Sequence, residues 1–273
     1  MRVVIVIPAR YQSSRFPGKP LAALKGVGGE ERSLIRRTYD VACEVAQVSA
    51  GSAAEIADII VATDHDGIAD HAKAFGATVA MTSVDCRNGT ERCAEVQAAM
   101  SEPADLIVNL QGDAPLTPPD FVTALIEAAA HTETRVLTPV LRCDAQALER
   151  FKADRANGLV GGTTVTTDVH GRGLYFSKEV IPYADNLTTE EDAQTVLHHV
   201  GVYAYRPDAL ALYASWAPGQ LETIEGLEQL RFLENGVPID CVEVYAKGRV
   251  FWEVNNPVDV ERAELELSAR GIA

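Results

Sequence analysis

Short unbroken apolar runs alternate along the chain with longer stretches of helical spacing. Arg2 to Ile7 is a β-branched run closed by Pro8, predicting a buried first strand, and a polar loop with glycine and prolines follows from Ala9 to Lys19. Ser33 to Val48 carries Leu34, Ile35, Val41, Val45 and Val48 at helical intervals. Further strands are predicted at Ile59 to Ala62, Val79 to Met81 and Leu106 to Leu110, and helices at Gly67 to Phe75 and Gly89 to Met100. Strands of continuous Val, Ile and Leu alternating with helices predict an α/β fold with a mostly parallel central sheet covered on both faces. Ligands in such folds sit at the carboxyl ends of the strands, where three polar segments fall: the 9–19 loop, Thr63-Asp64-His65, and Gln111-Gly112-Asp113. After about residue 150 the pattern changes. Val160 to Val169 and Gly173 to Phe176 flank a Gly171 turn and predict an antiparallel hairpin forming a smaller, subsidiary sheet. Gln220 to Glu234 is predicted as one helix, Ile239 to Val244 as a strand and Pro257 to Arg270 as a terminal helix. No internal repeat or low-complexity tract is present.

Length and charge narrow this picture. At 273 residues the chain suits one large α/β domain, taken here as a single domain over 1–273 with its subsidiary sheet at about 150–215. Net charge is −15, from 24 Lys and Arg against 39 Asp and Glu, which disfavours nucleic acid and anionic membrane surfaces as partners. The five cysteines are scattered and form no C-x-x-C pair, so a disulfide framework or zinc knuckle is not expected. The opening apolar run is too short for a signal peptide and no stretch of about 18 apolar residues occurs, so a cytoplasmic protein without a membrane span is expected.

Some residues invite chemistry on position alone. Arg10, Arg15 and Lys19 stand among small residues just past the first strand with no intervening carboxylate, a pattern suited to phosphate but also to a solvated basic loop. It matches neither a Walker A loop nor G-x-G-x-x-G. Asp113, beside Gly112 at a strand end, is placed either to hold Mg²⁺ against phosphate oxygens or simply to form a turn. Asn255 and Asn256 read equally as turn and N-cap residues. His198 and His199 lack a neighbouring metal-ligand partner, which leaves packing or a sugar contact.

Taken together, IPARYQSSRFPGKPL (7–21), VATDH (61–65), NGTER (88–92), VNLQGDAP (108–115), GLYFSKEVIP (173–182), HHVGVYAYR (198–206), LETIEGLEQLRFLENG (221–236) and VNNPVDVERA (254–263) resemble the bacterial 3-deoxy-manno-octulosonate (Kdo) cytidylyltransferases over nearly the whole chain. The resemblance implies a glycosyltransferase-A-like nucleotidyltransferase fold, Mg²⁺ as cofactor, CTP and an acidic 3-deoxy sugar as substrates, and a homodimer built partly through the smaller sheet. It implies a triphosphate loop of Arg10, Arg15 and Lys19, with Ala9 and Arg10 near the cytosine. Asn88, Gly89, Thr90 and Arg92 would line the nucleotide pocket, and Gln111 would be shared between nucleotide and sugar. Lys178, His199, Tyr203, Glu228 and Gln229 match sugar-pocket positions, while Asp113 and Asn255 match the metal positions.

Four departures fall in that implied site: Ala114 for a usual Glu, Asn255 for a usual Asp, and Lys178 and Asp185 where the family usually has Arg. An amide oxygen still ligates Mg²⁺, but a lysine does not replace a bidentate guanidinium, so the acceptor is expected to be Kdo or a relative. The expected reaction is transfer of CMP from CTP to that sugar with release of pyrophosphate, for cell-surface polysaccharide synthesis. The rivals are a nucleotidyltransferase for another sugar and a nucleotide-binding paralogue without turnover.

Overall fold

The computed structural model describes every residue except 13–15, 160–161, 186, 250–253, 255 and 273. The strands are β1 (Arg2–Ala9), β2 (Ala23–Lys25), β3 (Glu31–Ser33), β4 (Glu55–Thr63), β5 (Thr78–Met81), β6 (Leu106–Leu110), β7 (Val136–Arg142), β8 (Thr163–Thr167), β9 (Gly173–Ser177), β10 (Leu197–His199), β11 (Val202–Tyr205) and β12 (Ile239–Glu243). The α-helices are α1 (Leu34–Val48), α2 (Asp66–Ala74), α3 (Gly89–Ala99), α4 (Pro119–Ala129), α5 (Ala145–Ala156), α6 (Glu190–Ala193), α7 (Pro207–Ser215), α8 (Gln220–Glu225), α9 (Leu230–Glu234) and α10 (Val258–Ala269).

Ten strands form one sheet in the order β5-β4-β1-β6-β11-β7-β10-β8-β9, with β12 beside β7. The β5-β4-β1-β6 half is parallel, as its apolar runs predicted. Pleating sends Val3, Ile5 and Ile7 into one core layer with Ile35, Val45 and Leu125, and Val4 and Val6 into the opposite layer with Cys93, Val96 and Tyr213. Both faces are therefore apolar. Each of these fully buried side chains contributes roughly 1.5–3 kcal/mol before the entropy of ordering it is subtracted.

Three elements depart from the sequence reading. β1 continues through Pro8 to Ala9, because its pairing with β6 stops at Val6 and only β4 runs alongside Pro8, so the missing N–H costs no ladder bond on the β6 side. The predicted helix from Gln220 to Glu234 is two helices: Gly226 adopts the left-handed conformation (φ 63°) that ends α8, and α9 restarts at Leu230. Glu228 and Gln229 therefore stand on a turn.

The third departure concerns the hairpin expected to form a subsidiary sheet. β8 and β9 pair with each other, but β8 also pairs with β10, which joins them to the main sheet. β10 and β11 are consecutive segments that pair successive parts of β7, β11 also joining β6. Of the predicted hairpin strand, Val160 and Gly161 lie outside the described residues. The small separate antiparallel sheet is instead β2 with β3.

Candidate active site

The site is built at the carboxyl ends of β1 and β6, which run side by side in parallel. Their loops approach closely because Gly112 has no side chain: a Cβ there would lie 2.6 Å from the Pro8 carbonyl oxygen. From the β1 side, Lys19 Nζ donates to Asp113 Oδ2 at 2.7 Å, with side chains 12% and 28% exposed. From the distant C-terminal region, the Val254 N–H donates to the Asp113 carbonyl at 2.9 Å. The chain next to Asn255 is thus held against Asp113, while Asn255 and Arg15 themselves lie outside the described residues.

A second cluster forms around Glu228. Its Oε1 accepts from Gln111 Nε2 at 2.9 Å, and its Oε2 accepts from the Thr90 N–H at 2.8 Å. Burial raises the Glu228 carboxyl above the usual range, against the lowering effect of those two donors. Gly89 makes room for this cluster, since a Cβ there would lie 3.0 Å from Gln111 Nε2. Asn88 caps α3 by accepting from the Glu91 N–H at 2.8 Å and donates to the Tyr213 hydroxyl at 2.8 Å.

The sugar-pocket candidates form a third group. His199 and Tyr203 come from β10 and β11, and the Tyr203 hydroxyl donates to Gln229 Oε1 at 3.1 Å. Gln229 Nε2 is buried with no hydrogen-bond partner among the described residues, leaving a donor available in this wall. His199 Nε2 bonds the Thr138 hydroxyl at 2.9 Å, and burial, followed by the neighbouring His198, pushes its pKa down to about 3. His199 is a neutral ring at physiological pH. Lys178 reaches across to Gly226, where a Cβ would lie 2.9 Å from its ammonium nitrogen.

These groups share one cleft of about 1870 Å³. Ala9, Arg10, Lys19, Asn88, Gly89, Arg92, Gln111, Asp113, Lys178, His199, Tyr203, Glu228 and Gln229 all line it. Thr90 does not line it; its hydroxyl is buried against the Tyr205 hydroxyl at 2.8 Å and its N–H is held by Glu228. Arg92 is 2% exposed and its guanidinium is bonded to Asp64, the Thr82 hydroxyl and the Ser83 carbonyl. Of the departures, Ala114 is buried and Asp185 is exposed and bonded to the Tyr183 hydroxyl, and neither lines the cleft.

The cleft also contains residues that sequence reasoning missed. Arg142 and Arg150 enter from the end of β7 and from α5, and Lys247 and Arg249 from the segment after β12. Among the described residues the lining has ten cationic side chains against seven carboxylates, in a chain of net charge −15, so positive charge is concentrated here. No local spacing links these cations. Asp259 and Arg262, inside the 254–263 motif, line the cleft too and were marked by that motif alone.

Among the described residues no group of three or more His, Cys, Asp or Glu side chains could hold a metal ion by itself. A cation here would rely on Asp113 together with phosphate oxygens and water. That donor set consists of hard oxygens and suits Mg²⁺, which keeps much of its water and takes few protein ligands.

Residues 4–240 match the family model described as Cytidylyltransferase. Among curated relatives, the 3-deoxy-manno-octulosonate cytidylyltransferase of Maricaulis maris is 40% identical over 272 residues, covering 99% of each chain. The Haemophilus influenzae protein of the same name is 38% identical, covering 98% of this chain and all of that one. Among solved structures, CMP:2-keto-3-deoxy-manno-octonic acid synthetase complexed with CTP superposes with a TM-score of 0.78 at 34% identity, covering 97% of this chain and 98% of that one. The 4-diphosphocytidyl-2C-methyl-D-erythritol synthase of Anaerococcus prevotii, with a TM-score of 0.55 at 15% identity over 97% of both chains, shares the fold alone.

Proposed function

Because this chain belongs to the cytidylyltransferase family, we propose that it transfers CMP from CTP to 3-deoxy-manno-octulosonate or a close relative, releasing pyrophosphate. The observation that carries this reading is the convergence of the Lys19–Asp113 pair and the Gln111–Glu228 pair in one cationic cleft. The first pair suits phosphates and the second a nucleoside or polyhydroxylated acceptor. Relatives at 38–40% identity are named for this reaction.

In this reading the anomeric hydroxyl of the sugar attacks the α-phosphorus of CTP and pyrophosphate leaves. Catalysis consists mainly of positioning and charge neutralisation. Lys19, with Arg10 and Arg15, takes the β- and γ-phosphates and stabilises the leaving group. Ala9, Asn88, Gly89 and Gln111 shape the nucleoside side, with Thr90 acting through its bond to Glu228. Lys178, His199, Tyr203, Glu228 and Gln229 bind the sugar, Lys178 being the cation suited to its carboxylate. Asp113, with the amide of Asn255, would hold Mg²⁺, which when bound neutralises phosphate charge and lowers the pKa of the attacking hydroxyl.

The same proposal places the protein in the cytoplasm as a homodimer. Among the described residues no helix is long and apolar enough to cross a membrane, and Leu174 on the edge strand β9 is 62% exposed, an apolar side chain that a second copy would cover. The test is pyrophosphate release from CTP with Mg²⁺, with and without Kdo, then over a panel of acidic sugars. Release with another sugar but not with Kdo corrects the acceptor, and no release with any sugar refutes the reading.

A further inference from the structure

The Thr63-Asp64-His65 turn at the end of β4 has no part in the function proposed above, yet its carboxylate joins two separate segments that do. Asp64 Oδ1 accepts from the Tyr11 backbone N–H at 3.3 Å, and Oδ2 accepts from Arg92 Nη2 at 3.1 Å. Tyr11 stands at the head of the phosphate loop. Its ring stacks on His65 with centroids 4.0 Å apart and planes 12° apart, and its carbonyl accepts from the Gly18 N–H at 3.0 Å, one residue before Lys19. Both described ends of the loop are thereby tied to the β4 turn. Arg92 stands in the first turn of α3, just past the Asn88-Gly89-Thr90 turn, and also bonds the Thr82 hydroxyl. The Thr82 N–H returns to the Thr63 carbonyl at 2.8 Å, closing a circuit around the same turn.

We propose that Asp64 is a positioning residue that fixes the separation between the phosphate loop and the nucleoside-facing start of α3, so that one CTP molecule can span both. Asp64 does not line the cleft, whereas Arg10, Lys19, Asn88 and Arg92 do, so it acts through the segments it holds. Its side chain is 11% exposed and Arg92 only 2%, so solvent screens this tie little. The neighbouring His65 adds a stacking platform for Tyr11. The inference rests on the reading of this cleft as a CTP site, and it predicts an effect on the nucleotide that leaves the sugar untouched.

The test compares CTP binding by calorimetry in the presence of Mg²⁺ with steady-state constants for both substrates, all measured well below the melting transitions. Asp64→Ala removes both bonds and should raise the Kd and KM for CTP roughly tenfold, the usual scale for losing a charge-assisted hydrogen bond. Asp64→Asn keeps an oxygen for Tyr11 and should give a smaller rise, and neither should change the KM for Kdo. His65→Asn keeps an acceptor at the start of α2 while removing the stack, and should weaken CTP binding a few-fold even if Asp64→Ala does not fold. Lowered melting temperatures with wild-type CTP constants would make Asp64 a stabilising tie only and overturn the proposal. An equal rise in the CTP and Kdo constants would overturn it too. A wild type that binds CTP but releases no pyrophosphate with any acidic sugar would refute the functional reading, while the binding measurements would still decide the role of Asp64.

Discussion

Lys19 and Asp113 lie 2.7 Å apart in the cleft, each neutralising the other's charge. In the proposed reaction, nucleotide binding would give Lys19 phosphate oxygens to contact and free Asp113 for a cation. Charge on the departing pyrophosphate grows toward the transition state, so the contact from Lys19 strengthens as the reaction proceeds. Lys19→Ala should therefore lower kcat more than it raises the KM for CTP, by about 2–4 kcal/mol of transition-state stabilisation. Initial-rate kinetics with CTP and sugar varied in turn separates the two effects. A variant with unchanged kcat would remove Lys19 from the reaction.

At the scale of elements, one buried arginine ties the neighbouring helices α8 and α9 to the sequence-distant α3. Arg231 of α9 donates to both Glu222 oxygens of α8 at 2.6 Å and to Glu91 of α3 at 3.0 Å, and its guanidinium lies 3.9 Å from the Tyr213 ring centre. Burial opposes its charge, yet its bonds to Glu222 and Glu91 and the nearby Tyr213 hold its pKa above the ordinary range. The same network reaches the site, since Asn88 contacts Glu222 at 3.4 Å and the Glu228 carbonyl accepts from the Tyr213 hydroxyl at 3.2 Å. Arg231→Met keeps the length but leaves the buried Glu222 carboxylate without its cation, while Glu91 keeps Arg87. It should cost about 3–5 kcal/mol of stability, the range for breaking a buried pair from one side. Urea unfolding reads the loss directly, and a change under 1 kcal/mol would show that solvent compensates the acids. Glu222→Gln should cost less, because Glu91 remains to pair with Arg231.

For the whole molecule, two adjacent histidines, His199 buried and His198 half-buried, set an acid limit. Burial, with Arg150 adding to it, pushes His198 down to about 4, and burial pushes His199 to about 3. Their unfolded values lie near 6.5, so below that pH the unfolded chain binds protons that the folded chain does not. Stability from keeping both rings neutral is complete above pH 6.5 and is lost as pH falls from there toward 3–4. At pH 5 each histidine should cost about 2 kcal/mol. Thermal melts between pH 7.5 and 5 should fall steeply, and His199→Gln, which carries no titrating ring, should flatten the slope by up to one proton. An unaltered slope in that variant would show that His199 does not contribute. These rings should add no inflection to kcat/KM between pH 6 and 8.

By itself the sequence determined the parallel half of the sheet, because runs such as Val3 to Ile7 and Leu106 to Leu110 have no polar face to turn outward and must be covered on both sides. It also determined where Gln111 and Asp113 stand, since both follow the end of β6 within a few residues, and it put Lys19 at the far end of the loop after β1. Glycine preferences were legible only in part: Gly226 breaks a helix that apolar spacing alone carries on to Glu234. Strand β7 was not legible, because Pro139 in its middle argues against a central strand, while the structure uses the Pro139 carbonyl to accept from the Val200 N–H. The continuity of the β8–β9 hairpin with the main sheet depended on β10 and β11 following β7 together. Tertiary structure alone decided the bond between Glu228 and Gln111, the crossing of Asp64 between Tyr11 and Arg92, and the gathering of Arg142, Arg150 and Arg249 around one cleft. Local patterns record which way a residue faces along its own strand or helix; contacts separated by tens to more than a hundred positions arise only when the layers pack.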